Sequence, residues 1–203
     1  MSFNLGIGEF RGVFIKQLLR GSNLPCSNCV SLNTVVDYQE SCVIEIYQGE
    51  RPLSRYCNLL GTLLIKDLPI DKAYKVEIDV VLSIDKDEVM TLTAVETRTN
   101  KQLSVNIEKG KMKSENTNLV LDAIDNKQED ERLLAKLDEL NDLIENLRFK
   151  YENTEYESLV HDKMNDFVGW ITDNKKKLNY ESCQKCIQRI IKYIQEQNLT
   201  IAD

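Results

Sequence analysis

The sequence predicts a β-then-α chain, an antiparallel two-layer β-sandwich followed by α-helices, and two observations support this fold class. In residues 1–109 apolar residues alternate with a period of two, and turn signals separate the alternating segments. After Gly110 the apolar residues recur at helical spacing. Strands that follow one another without intervening helices favour an antiparallel sandwich. The join near residues 109–114 predicts two domains, residues 1–110 and residues 111–203.

The front half contains several alternating segments, which we predict to be strands: residues 30–35, 42–47, 75–82, 90–95 and 103–107. Turn signals separate them, as at residues 85–88 and 98–101. In residues 42–47 both alternating sets are largely apolar, so neither face of this strand is expected to be fully wet. Asp85 and Asp87 favour a solvated hairpin turn over a calcium or catalytic site.

The back half is predicted to form a helical hairpin or a small bundle. Residues 129–151 contain neither Gly nor Pro, so one long helix is expected there. Thr154 with Glu157 predicts a capping box for a second helix, and the polar residues 173–175 predict its end. A third helix is expected over residues 183–194. The apolar stripes consist of Leu133, Leu137, Leu140, Ile144 and Leu147; of Val160, Met164, Phe167 and Ile171; and of Cys183, Cys186, Ile187, Ile190, Ile191 and Ile194.

Composition and charge exclude several classes of protein. The 203 residues carry a formal net charge of −7, which argues against nucleic-acid binding because that function needs a basic face. No apolar run approaches the roughly 18–20 residues that span a bilayer, so no membrane partner is expected. Residues 1–4 lack the pattern of a secretory signal. We therefore expect a cytoplasmic location and six reduced cysteines.

Motifs for catalysis or metal binding are weak. His161 is the only histidine, and its place beside an apolar stripe favours a surface or satisfied side chain over a catalytic one. Phosphate-binding glycine motifs are absent from the sequence. The C-x-x-C pairs at residues 26–29 and 183–186 lie much further apart than the pairs of a typical zinc site. A redox role would need a βαβ context, which the front half lacks. No metal site is expected.

One long stretch is similar to a known family. "IEIYQGERPLSRYCNLLG" (residues 44–61) resembles the strand and turn of the substrate-binding domain of 70-kDa heat-shock protein (DnaK-type) chaperones. "LGIGEFRGV" (5–13), "SNLP" (22–25) and "VEIDVVLSIDKDEVMTLTA" (76–94) are similar to further segments of that domain. "NDFVGWITDN" (165–174) resembles a segment of the family's helical lid. The resemblance covers nearly the whole chain and identifies it as a divergent member.

The resemblance implies a sandwich that binds a short extended peptide, with a C-terminal α-helical lid over it. Peptide main-chain hydrogen bonds would give broad affinity, and one apolar pocket would prefer a leucine-like side chain. We expect one face of residues 42–47 to pack in the core and the other, through Cys42 and Ile44, to help line the pocket. The implied site residues are Ile7, Leu32, Cys42, Ile44 and Ile78 in the pocket; Phe10 and Val35 in an arch; and Asn33, Thr34 and Gln39 at the peptide backbone.

The sequence departs from the family at several of these positions. Phe10 is bulkier than the usual arch residue, and Cys42 replaces the central valine of the pocket. The family's loop arginine, which pairs with a lid carboxylate, is Ala73 here, and the matching lid position is Ile144. We expect a different latch, between Asp37 and Arg148.

No segment resembles the family's ATPase domain, its linker or its C-terminal co-chaperone motif, so we expect a fragment of a longer protein. We then expect neither enzyme activity nor a cofactor in this chain, with ATP and Mg²⁺ bound by another domain of the parent. Expected partners are unfolded peptides and, through the parent, J-domain co-chaperones and nucleotide-exchange factors. Self-association through the lid or the pocket is a further alternative. Two rival functions stay open: a regulatory or nucleotide-exchange relative that binds clients weakly, and a zinc or thiol-redox protein.

Overall fold

The computed structural model describes residues 3–107 and 117–201, and of residues 117–119 only the backbone. The chain divides into two compact units, Met1–Lys127 and Gln128–Asp203. The sequence placed the domain join near residue 110, which lies outside the described residues, and that boundary stays a prediction. The strands of the first unit are β1 (Asn4–Gly8), β2 (Phe14–Leu18), β3 (Cys26–Asn33), β4 (Ser41–Gly49), β5 (Asn58–Lys66), β6 (Glu77–Ile84), β7 (Met90–Glu96) and β8 (Lys101–Ile107).

The strands form two antiparallel sheets, which confirms the predicted sandwich. One sheet has the order β2-β1-β4-β5 and the other the order β3-β6-β7-β8. Alternate residues of the strands point inward, because successive side chains of a strand lie on opposite faces. In β6 and β7 this alternation is complete: buried and partly exposed residues take turns from Ile78 to Glu96, outside the hairpin turn. The shared core includes Leu5, Ile7, Ile44, Ile46, Leu60, Ile65, Ile78, Val80, Leu82, Met90, Leu92 and Ala94.

The charged turn after β4 is held at both ends. The Glu50 carboxylate accepts a 2.8 Å hydrogen bond from the Asn4 side-chain amide in β1. Arg51, 7% exposed, stacks 3.4 Å from the centre of the Tyr56 ring and pairs with Asp122 at 3.3 Å. Gly49 has no room for a side chain, because an added Cβ would overlap the Cys57 thiol. The turn is therefore a structural connection between the first sheet and the helix that contains Asp122.

The helices are α1 (Thr117–Asp125), in the first unit, and α2 (Lys127–Tyr151), α3 (Glu157–Asn174) and α4 (Tyr180–Glu196) in the second. The long helix, the polar end of α3 and the last helix were all predicted, and α1 was not. Their predicted stripes are buried except at Ile191, which is half-buried, and Leu140, Met164 and Ile190 are each 0% exposed. The cysteines of α4 behave as small apolar residues, with Cys183 and Cys186 0% and 2% exposed.

The capping box predicted from Thr154 and Glu157 is wrong. Helix α3 is preceded by Tyr156 in helical conformation, without a side-chain cap. The Thr154 hydroxyl instead donates to the Tyr151 carbonyl at the end of α2, and the Glu157 carboxylate accepts from the Asn153 N–H. The Thr154 hydroxyl also accepts from the Tyr156 N–H at 3.3 Å. The two side chains therefore hold the turn between the helices and do not form a capping box at the start of α3.

Candidate functional site

Four connections lie at the same end of the sandwich, which we call the β3–β4 end. They are the β1–β2, β3–β4, β5–β6 and β7–β8 connections, at residues 9–13, 34–40, 67–76 and 97–100. The antiparallel pairing fixes this arrangement, because β1, β3, β5 and β7 all finish at that end. The residues that the resemblance assigns to the pocket, the arch and the peptide backbone all belong to these connections or to the strands that enter them.

The five predicted pocket residues divide into two layers. Ile7, Ile44 and Ile78 are 0–1% exposed and belong to the core of the sandwich. Leu32 and Cys42 are half-buried and pack against that core. Leu32 lies opposite Ile78 in the pairing of β3 with β6. The β3–β4 end therefore presents two partly exposed apolar side chains on a fully buried layer.

The two faces of β4 are not divided as the sequence suggested. Cys42 and Ile44 lie on the same inward face as Ile46, which is 0% exposed, rather than on a face opposite the core. The other face points outward, with Val43 57% exposed. The expectation of separate core and pocket faces is wrong, because a two-layer sandwich places all inward residues of a strand in one continuous layer. Cys42 lies at the edge of that layer, next to the loops, and Ile44 lies in its interior.

The predicted peptide-backbone groups already have partners within the chain. The Thr34 N–H donates to the Val76 carbonyl at 3.0 Å, and the Thr34 carbonyl accepts from the Tyr74 N–H at 2.7 Å. The Gln39 side chain accepts from the Val35 N–H at 3.0 Å and donates to the Ser41 carbonyl at 2.9 Å. Thr34 and Gln39 thus shape the β3–β4 connection, whereas the side chain of Asn33, at the end of β3, is exposed.

The arch residues come from two different connections. Phe10 lies in the tight turn after β1, where the Gly12 N–H donates to the Glu9 carbonyl. The Arg11 guanidinium carbon lies 5.8 Å from the centre of the Phe10 ring, and its Nε lies 2.5 Å from a Glu9 carboxylate oxygen. Phe10 and Val35 are both partly exposed. Phe10 and Val35 are therefore positioned by separate connections, and Phe10 lies beside the Glu9–Arg11 ion pair.

The two residues of the predicted latch have contacts within their own units. The Asp37 carboxylate accepts a 2.8 Å hydrogen bond from the Ala73 N–H. Arg148 is 4% exposed in the helical unit and donates to the Asn165 side chain at 2.5 Å. His161 Nε2 lies 3.3 Å from the Arg148 carbonyl oxygen, which agrees with the prediction of a satisfied histidine. The pairing of Asp37 with Arg148 stays a prediction.

Sequence reasoning missed a polar cluster at the β3–β4 end. The Glu96 side chain is fully buried and accepts hydrogen bonds from the Arg98 N–H, the Thr99 N–H and the Thr99 hydroxyl. Burial opposes its charge, but these donors outweigh burial and lower the pKa of Glu96. Arg98 in turn donates to the Asp71 carboxylate at 2.7 Å and to the Lys75 carbonyl.

The same contacts affect Asp71. The Arg98 guanidinium and the Lys72 backbone N–H lower the pKa of the Asp71 carboxyl group. The sequence signal for this cluster was the turn near residue 98, which we read only as a turn. The chain separation of 27 residues between Asp71 and Arg98 lies beyond any local pattern.

Within residues 3–107 and 117–201, no group of three or more His, Cys, Asp or Glu side chains is arranged to hold a metal ion. All six cysteines lie in this described part, and none is in a disulfide. Burial raises the pKa of the Cys186 thiol to about 11, so this thiol is protonated at neutral pH. Among the described helices, none has the length and apolar character needed to cross a membrane.

An antiparallel β-sandwich followed by helices, with apolar side chains exposed among the loops of one end, defines the structural class of this chain. The family model described as Hsp70 protein matches residues 1–202, so the chain belongs to the Hsp70 family. The chain is 28% identical to a heat shock 70 kDa protein of Emericella nidulans, with 92% of this chain and 31% of that protein covered.

A heat shock 70 kDa protein of Penicillium citrinum is 27% identical, with 92% of this chain and 40% of that protein covered. Heat shock cognate 70 kDa protein 3 of Dictyostelium discoideum is also 27% identical, with 74% of this chain and 24% of that protein covered. The chain therefore spans well under half the length of these relatives.

Proposed function

We propose that this chain is the client-binding part of an Hsp70-family chaperone. It binds short, extended hydrophobic segments of unfolded polypeptides at the β3–β4 end, and its helical unit serves as a lid. ATP and Mg²⁺ act in a separate ATPase domain of the parent protein, which also receives J-domain co-chaperones and nucleotide-exchange factors. The chain itself is a non-enzymatic binding module, and its cellular location is the cytoplasm.

One observation carries the proposal: Leu32 and Cys42 are half-buried where the fully buried isoleucine layer reaches the loops. An apolar side chain placed there would cover the two exposed surfaces and continue the core. Burial of a leucine-sized side chain supplies about 1.5–3 kcal/mol, enough for a loose preference but not for strict selection. Binding to an extended backbone would add affinity without regard to sequence.

The test is a pair of tryptophan substitutions in neighbouring residues of β4. Cys42→Trp places a large ring on the inward face, where Cys42 packs against the core, whereas Val43→Trp places the same ring on the outward, 57% exposed face. We expect Cys42→Trp to abolish binding of a fluorescein-labelled peptide with a leucine-rich centre, and Val43→Trp to retain it. Fluorescence polarisation measures affinity, and circular dichroism verifies that both variants fold. Equal peptide affinities for the two variants would show that the peptide pocket does not lie at the β3–β4 end.

A second candidate function is a regulatory or nucleotide-exchange relative that keeps the fold and binds clients weakly. The internal hydrogen bonds of Thr34 and Gln39 favour it, because groups assigned to the peptide backbone already have partners. This candidate predicts polarisation that does not saturate with peptide, together with tight binding to an intact Hsp70 chaperone. Saturable peptide binding by the wild-type chain would contradict this second candidate function.

A further inference from the structure

We propose that Arg98 is a positioning residue that controls how fast a bound peptide leaves, an inference that rests on the proposed function. Arg98 lies in the β7–β8 turn, and none of the residues that the resemblance assigns to the site belongs to that turn. It acts through the β5–β6 connection on the β3–β4 connection. We call Arg98 with its two acceptors, Asp71 and the Lys75 carbonyl, the loop clamp.

The first step is the position of Arg98 itself. Its backbone N–H donates to the buried Glu96 carboxylate at 2.9 Å, and the same carboxylate binds both donors of Thr99. Asn100 completes the turn with a φ of 55°. The backbone of Arg98 is thus held by contacts that do not involve its side chain. Less conformational entropy is therefore lost when the guanidinium binds its acceptors.

The second step is the span of the clamp. Asp71 and Lys75 lie on either side of Ala73, so the guanidinium bridges the segment that contains Ala73. The Ala73 N–H donates to the Asp37 carboxylate at 2.8 Å. Arg98 therefore fixes both ends of the segment from Asp71 to Lys75, and the Ala73 N–H within that segment binds Asp37.

The third step is the contact between the two connections. The Tyr38 N–H donates to the Asp71 carbonyl at 2.6 Å, and the Tyr74 N–H donates to the Thr34 carbonyl at 2.7 Å. These two bonds lie inside the segment that the clamp bridges. The β3–β4 connection includes Val35 and Gln39 and joins the strand of Leu32 to the strand of Cys42. A peptide enclosed there leaves faster when this connection moves outward, so the clamp opposes release.

The clamp is a partly exposed charge pair, with Arg98 and Asp71 side chains 45% and 33% exposed. Such pairs have modest strength and are screened by salt. We therefore expect Arg98→Ala to raise the peptide dissociation rate about two- to fivefold, the range of an exposed pair. Arg98→Lys should restore part of the effect, because a lysine keeps the charge but lacks the planar guanidinium that reaches both acceptors at once.

Lys101→Ala is the matched control. Lys101 follows the same turn and donates to the Lys66 carbonyl at the end of β5 and to Asp67 in the β5–β6 connection, both outside the bridged segment. The experiment measures dissociation of the labelled leucine-rich peptide from the wild-type chain and from Arg98→Ala, Arg98→Lys, Asp71→Ala and Lys101→Ala. Hydrogen exchange on the peptide-free proteins follows the amides of Tyr38, Ala73 and Tyr74.

The loop clamp predicts faster dissociation and faster amide exchange for Arg98→Ala and Asp71→Ala, with Lys101→Ala close to wild type. It also predicts that 1 M salt accelerates dissociation from the wild-type chain and leaves Arg98→Ala little changed. A wild-type chain that binds peptide with a dissociation rate unaffected by Arg98→Ala overturns the clamp and leaves the proposed function standing. An equal effect of Lys101→Ala also overturns it, as general destabilisation. A wild-type chain that binds no peptide overturns the proposed function, and this inference with it.

Discussion

At the scale of single residues, the β3–β4 end contains a buried charged side chain that neither composition nor alternation predicts. Glu96 ends β7 with a fully buried side chain, in a position that alternation assigns to an apolar residue. The structure explains this residue by its three donors from Arg98 and Thr99. A buried carboxylate with enough donors fixes a turn, whereas the same carboxylate without them would be strongly destabilising.

The first prediction concerns Glu96 and pH. We expect Glu96→Gln to lower the free energy of unfolding by about 1–3 kcal/mol at neutral pH, because buried donors lose a charged acceptor. The pKa of Glu96 is lowered in the folded state, so its carboxylate stabilises the fold above the unfolded pKa of about 4.3 and this contribution is lost as pH falls through the lowered folded pKa. Urea unfolding between pH 3 and 7 tests this.

The gap between wild type and Glu96→Gln should be constant from about pH 5 to 7 and should narrow below about pH 4. Glu77 provides a control at an exposed position in β6, and Glu77→Gln should show neither effect. A gap for Glu96→Gln that stays constant to pH 3 would contradict the assignment of a charged, hydrogen-bonded side chain.

At the scale of elements, the sequence predicted most strands and helices but missed β1, β2, β5 and α1. Strand β5 shows why. Its residues Leu59, Leu60, Leu63 and Leu64 are chemically identical, yet they are 48%, 2%, 9% and 44% exposed. The register of β5 with β4 shifts between Ile46 and Tyr47, so Leu60 and Leu63, three residues apart, both face the core. Two pairs of adjacent leucines contain no alternation from which to read this. Strands β1 and β2 are short, and glycines interrupt β1.

The second prediction concerns the start of α4, which the sequence did not mark as capped. The Asn179 side chain accepts from the Ser182 N–H at 2.8 Å, and the Ser182 hydroxyl accepts from the Asn179 N–H at 2.9 Å. We expect Asn179→Ala to lower the free energy of unfolding by about 0.5–2 kcal/mol. Chemical unfolding followed by circular dichroism measures it.

Thr154→Ala is the comparison for this cap. Thr154 belonged to the capping box that was predicted and does not form, and its hydroxyl donates instead to a carbonyl at the end of α2. Its substitution should cost less than that of Asn179. A larger cost for Thr154→Ala would show that the helix start near Glu157 depends on this side chain after all.

At the scale of the whole molecule, net charge bears on what the chain attracts. The formal net charge is −7, and the potential of an acidic protein favours basic partners over long distances. This is the third prediction. A leucine-rich peptide flanked by lysines should associate about tenfold faster at low ionic strength than the same peptide flanked by glutamates.

Stopped-flow association at about 10 mM and 1 M salt measures this difference, since the Debye length falls from about 30 Å to about 3 Å. The two peptides should associate at similar rates in 1 M salt, and their dissociation rates should differ little. A preference for the lysine-flanked peptide that persists in 1 M salt would point to direct contacts with acidic side chains instead of long-range attraction.

The sequence by itself determined the fold class, the change of period after residue 109, the buried stripes of three helices and the family resemblance that the family match confirms. These follow from local periodicity and from collinear motifs. The tertiary structure decided which leucines of β5 are buried, that Cys42 and Ile44 share the core face, and that Arg98 reaches Asp71. Such contacts join residues far apart in the chain, and only the register of the strands and the meeting of four loops at one end bring them together.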